Sequence, residues 1–147
     1  MLRPLMITLR IRPLLLWTCV LVWFGVCITG AWWWWDQDQQ MNDPELRAVL
    51  LIKLHGLLAQ LTILLSGMLL STHVRAGWAR RRNRASGVLT LAVLGSLMLT
   101  GLGLYYANMA LREWMHHLHV WIGLAAILLV PLHAVLGRWL RRRTFRS

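Results

Sequence analysis

The sequence predicts an all-α fold, an integral membrane four-helix bundle with both termini on the cytoplasmic side. Three observations carry this. The chain has 147 residues, 58% hydrophobic and only 14% charged, against roughly a quarter charged in an average soluble domain. Its apolar residues fall into four runs, each about as long as a membrane span. Its basic residues gather on one side of those runs. The composition excludes a disordered basic tail, because 10 Trp and the excess of Leu do not belong in one. A disulfide scaffold is excluded too. The two cysteines, Cys19 and Cys27, share one apolar run, where a helix holds them too far apart to bridge.

The expected spans are 14–35, 46–74, 86–107 and 114–137, within a single membrane domain covering 1–147. The first has no charge from Leu14 to Trp35; the second carries Lys53 near its start. Backbone polar groups in hydrocarbon must be satisfied within the segment, so each run is read as a helix. A basic start, an apolar run and the small residues Thr29-Gly30-Ala31 also have the form of a cleavable leader. The run is long for one, and Trp32-Trp33-Trp34-Trp35 follow at once, so an uncleaved span is expected. The tryptophans read as an aromatic belt at the outer interface, with Trp114 at the same level and Trp78 and Trp139 at the inner one. A docking surface or electron relay is the functional alternative for them. No internal repeat is expected.

The formal net charge of +11 is divided unevenly. Arg3, Arg10 and Arg12 precede the first span, Arg75, Arg80, Arg81, Arg82 and Arg84 fill the second loop, and Arg138, Arg141, Arg142, Arg143 and Arg146 form the tail. Arg47, Lys53 and Arg112 fall on the other side, together with all five acids, Asp36, Asp38, Asp43, Glu45 and Glu113. By the positive-inside rule the acidic loops face out. The charge is then a matter of topology and of contact with anionic lipid, which leaves no place for nucleic acid as a partner.

Ionisable side chains within spans are costly, so the six histidines are the first place to look for function. The second and fourth spans should run in the same direction. His55 and the cluster His116, His117 and His119 then lie near the outer face, and His73 and His133 near the inner one. His55 and His73 are eighteen residues apart, five full turns of an ideal helix, so they share a face. His119 and His133 are fourteen apart and lag by about 40°. His116 lags His133 by about 100° and His117 lies almost opposite, which makes His119 the preferred partner of His55. Small residues line these faces, among them Ala59, Thr62 and Ser66 in the second span and Gly123, Ala126 and Gly137 in the fourth. They leave space for something flat, or else let the helices pack closely.

Two haems fit this pattern, each held by one histidine from each helix. His55 with His119 would bind the outer iron, and His73 with His133 the inner one. No Cys-x-x-Cys-His motif occurs, so the expected cofactor is non-covalent haem b. His116 or His117 is the alternative outer ligand. A single metal cannot bind both His55 and His73, which are about 27 Å apart along a helix, and the spacing is unlike a zinc site. Two other classes compete: a non-redox membrane subunit or assembly factor with structural histidines, and a transporter using them as a relay. The absence of Asp and Glu from the four expected spans counts against the transporter.

From Lys53 to Trp139 the chain resembles the bacterial membrane-integral dihaem cytochrome b superfamily. It is similar in plan to cytochrome b561 proteins and to the b-type cytochrome subunits of formate dehydrogenase and nickel-iron hydrogenase. The resemblance rests on Lys53-Leu54-His55-Gly56, Thr72-His73-Val74-Arg75, His119-Val120-Trp121 and Leu132-His133-Ala134, and on the fourteen-residue gap between His119 and His133. The eighteen-residue gap in the second span departs from the family pattern. The resemblance implies electron transfer in the bacterial cytoplasmic (inner) membrane, between a quinone pool and a redox partner protein. It implies a subunit rather than a complete enzyme. His116 and His117, beside Arg112 and Glu113, would be placed to exchange protons with a quinol.

Overall fold

The described residues of the computed structural model are 13–39, 46–79, 81 and 83–144, the side chains of 37–39 and 140–144 excepted. Among them every regular element is a helix. Four stretches, Pro13–Asp36, Leu46–Ala79, Arg84–Tyr106 and Met109–Trp139, are long and apolar enough to cross a membrane. The shortest has 23 residues, about 35 Å at 1.5 Å per residue, against a hydrocarbon core of about 30 Å. Of the charges behind the orientation reading, Arg3, Arg10, Arg12, Asp43, Glu45, Arg80, Arg82 and Arg146 lie outside the described residues. So do the side chains of Asp38, Arg141, Arg142 and Arg143.

The chain divides into two compact units, Met1–Ala76 and Gly77–Ser147. In the first, α1 (Pro13–Gln39) and α2 (Leu46–Leu69) pack as an antiparallel hairpin. Pro13 opens α1, where its fixed φ suits a helix and its missing N–H costs nothing. At the far end of the hairpin, Arg47 donates to Asp36 at 2.6 Å. Asp36 lies in the last turn of α1 and Arg47 in the first turn of α2, so each stands at the end of its helix that the backbone dipole disfavours. The ion pair offsets both. Asp36 is buried, and its second oxygen, Oδ2, has no hydrogen-bond partner among the described residues.

Beyond Leu69 the helix does not continue as α. Leu70–Val74 form a π turn, closed by the N–H of Arg75 on the carbonyl of Leu70, and α3 (Arg75–Ala79) follows. A π turn contains one residue more than an α turn, a phase slip approaching 100° once complete. His73 lies inside it. The expectation that His55 and His73 share one face assumed an unbroken α-helix; the π turn moves His73 off that ideal phase.

In the second unit α4 (Arg84–Tyr106) and α5 (Met109–Thr144) form another antiparallel hairpin. Arg81 and Asn83 precede it with φ of 54° and 52°. This left-handed conformation suits Asn better than Arg. Trp78 holds the turn: its carbonyl accepts from the Arg81 N–H and the Arg84 guanidinium, and that guanidinium stacks 4.9 Å from the Trp78 ring centroid. At the other end α5 begins at Met109, five residues before the expected start of the fourth span. The reason is Asn108, whose Oδ1 accepts the Leu111 N–H at 3.0 Å and caps the helix. Arg112 and Glu113, expected in a loop, therefore lie on the helix. Pro131 sits inside α5, which runs on through it.

The distribution of side chains is inverted relative to a water-soluble fold. Buried positions include Thr29, Asp36 and Thr100, whereas Leu21, Trp121 and Leu128 are 70%, 70% and 74% exposed. Exposed apolar surface of this extent marks contact with a membrane or with another protein.

Arg47→Ala should cost about 1–3 kcal/mol, because it strands a buried carboxylate. Adding Asp36→Asn to it should recover part of the loss. Thermal unfolding of the single and double variants in detergent checks this; strictly additive losses would show that the two side chains do not act as a pair.

Candidate histidine sites

Three of the four expected ligand histidines are held in the same way. Each projects from the second helix of its hairpin onto a Ser/Thr-Gly dipeptide of the first. His55 on α2 meets Thr29-Gly30 of α1; His119 and His133 on α5 meet Thr100-Gly101 and Ser86-Gly87 of α4. In every case Nδ1 contacts the hydroxyl and the ring edge lies over the glycine.

The hydroxyls also determine where the ring protons are. Thr100 Oγ1 is 2.8 Å from the carbonyl of Ser96 and 2.8 Å from Nδ1 of His119. A hydroxyl has one proton and two lone pairs. That proton goes to the carbonyl, which can only accept, so Nδ1 of His119 must donate to Thr100. Thr29 is arranged alike: its Oγ1 donates to the Gly25 carbonyl at 2.7 Å. His55 Nδ1 lies 3.3 Å from that hydroxyl and 3.1 Å from the carbonyl of Val26, so His55 is the donor. Ser86 donates to Oδ1 of Asn83 at 2.6 Å and accepts from Nδ1 of His133 at 2.9 Å. The amide of Asn83 reaches back to the His133 carbonyl through a long contact of 3.5 Å, closing a ring of polar groups. All three imidazoles therefore carry Nδ1–H, and a neutral ring of that tautomer has its lone pair on Nε2.

The glycines make room for the rings to different degrees. A Cβ at Gly30 would lie 2.8 Å from Cε1 of His55, whereas one at Gly101 or Gly87 would lie 3.6 or 3.7 Å from Cε1 of His119 or His133. The close approach of α1 to His55 thus requires glycine; the other two sites do not.

His73 differs. It is exposed and lies in the π turn rather than on a regular α face. His116 and His117 are near the start of α5, with ring centroids 5.6 Å apart and planes inclined by 60°. His119, not these two, sits on the Thr100-Gly101 pair. Among the described residues no group of three or more His, Cys, Asp or Glu side chains converges to hold a metal ion. A metal ion held by these histidines would have to draw its other ligands from elsewhere.

The partners Val26, Thr29, Asn83, Ser86 and Thr100 were missed in reading the sequence. A signal was there. Ser86-Gly87 and Thr100-Gly101 recur at fourteen residues, the same interval as His119 and His133. No family model matches the chain, and neither a curated protein nor a solved structure matches it.

Gly30→Ala should displace the His55 ring and cost about 1–3 kcal/mol by overpacking. Gly87→Ala and Gly101→Ala should be neutral or gain up to about 1 kcal/mol from helix propensity. Unfolding midpoints of the three variants test this; equal losses at all three would show that the His55 site is not unusually tight.

Proposed function

We propose that the chain is a b-type dihaem cytochrome, embedded in the bacterial inner membrane with both termini in the cytoplasm. It would move electrons between a quinone pool and a redox partner protein. The observation that carries this reading is the common contact of Nδ1 of His55, His119 and His133 with a hydroxyl of the facing helix. An axial ligand to haem iron binds through one ring nitrogen while the other donates a hydrogen bond that orients the ring. Three histidines on apolar helices have that contact in place at Nδ1, and in this reading coordination would be through Nε2. A histidine that only satisfied a polar neighbour would not need the same nitrogen engaged three times over.

His55, His73, His119 and His133 would supply the axial ligands, in the pairing expected from their levels in the spans, His55 with His119 and His73 with His133. Haem supplies a one-electron couple at iron, and two histidine ligands leave no open position for oxygen chemistry. The π turn at Leu70–Val74 is compatible with this role, since such insertions recur at functional sites. The orientation follows from the segregated arginines, and a membrane setting accounts for the exposed apolar surface. His116 and His117 are read as interfacial groups able to exchange protons with a quinol.

Purified protein should contain about two haems per chain, with a b-type reduced-minus-oxidised spectrum. Alanine at His55, His73, His119 or His133 should each remove about one of them, while alanine at both His116 and His117 should leave the haem content intact and slow reduction by quinol. Protein without haem would contradict the reading and favour a non-redox membrane subunit. Both haems retained in His119→Ala would move the outer ligand to His116 or His117.

A further inference from the structure

We propose that Thr29, Ser86 and Thr100 are positioning residues that set the donor strength of the histidine each one holds, and through it the reduction potential of the iron. This rests on the cytochrome reading above. The three hydroxyls are not equivalent to free side chains. Each has its single proton committed to a second acceptor, the Gly25 carbonyl for Thr29, the Ser96 carbonyl for Thr100 and Oδ1 of Asn83 for Ser86. With the proton spent, only lone pairs remain to face Nδ1. The hydroxyl oxygen is also polarised by the bond it donates, which makes it a better acceptor in a low-dielectric setting.

A stronger pull on Nδ1–H moves electron density toward Nε2. An axial imidazole with more density on Nε2 stabilises ferric over ferrous iron and lowers the potential. Helix back-bonding by threonine is ordinary in apolar helices and by itself only satisfies the hydroxyl. Here it has a second consequence, because the back-bonded oxygen is the one that a histidine of the facing helix meets. At the Ser86 site the loop takes part: Asn83, in its left-handed conformation, accepts the serine proton and so holds Ser86 ready to accept. His55 differs in having the Val26 carbonyl as a further acceptor, so its Nδ1–H is retained whatever happens at Thr29.

The test uses the full-length, haem-loaded protein with Thr100→Val, which keeps the shape and removes the acceptor, and Thr100→Ser, which restores it. Two quantities are read. One is the reduction potential of each haem by spectroelectrochemical titration; the other is the Nδ1–H proton resonance of His119 in reduced, histidine-labelled protein. In Thr100→Val one haem should rise in potential and the His119 Nδ1–H resonance should move upfield, with haem content unchanged; Thr100→Ser should return both toward wild type. Ser86→Ala provides the same comparison at His133 should Thr100→Val not fold. Haem-loaded variants with potential and resonance both unmoved would overturn the proposal while leaving the cytochrome reading intact. A wild-type chain without haem would instead fail that reading.

Discussion

An imidazole on an otherwise apolar helix must place its N–H somewhere, and the rest of this structure follows from where that is. Three times the acceptor is a hydroxyl of the facing helix whose own proton already belongs to another group. That arrangement joins two demands that normally conflict. The hydroxyl is satisfied within its own neighbourhood, as a polar group in an apolar helix has to be. It still has lone pairs to offer a neighbour. At His55 the adjacent Gly30 also lets the helices come close enough for the offer to be taken. At that site packing distance and ring orientation are thereby settled together by the Thr29-Gly30 dipeptide.

The same economy marks the ends of the hairpins. Asp36 and Arg47 each stand at the wrong pole of a helix and neutralise one another. Asn108 caps α5 and Trp78 gathers the turn before α4. These contacts are short-range and lie within one hairpin or the other. The long helices themselves bury few large side chains: Ala48 and Ala126 are the buried hydrophobic residues among those described.

The four helices could be read from the sequence because an uninterrupted apolar run of this length has few other solutions. Their ends were less legible. The segment 108–113 looks like a loop by its charges, and only the bond from Asn108 to Leu111 shows that the helix has already begun. The π turn at Leu70–Val74 left no trace either, since neither proline nor glycine marks it. Histidines stood out as costly residues. Their partners did not, because a threonine or serine inside an apolar helix looks merely tolerated. Recognising Thr29, Ser86 and Thr100 as acceptors requires the register between facing helices, and register is a property of the pair rather than of either sequence. The recurrence of Ser/Thr-Gly at the interval of His119 and His133 was the visible hint.

In the proposed cytochrome these histidines would bind iron from both sides through Nε2. Low-temperature electron paramagnetic resonance of the oxidised, full-length protein addresses it most directly, because two imidazole ligands make ferric haem low-spin. The expected result is two low-spin ferric signals, with the signal assigned to His119 lost in His119→Ala. High-spin iron in the wild-type protein, or no haem iron at all, would contradict the account.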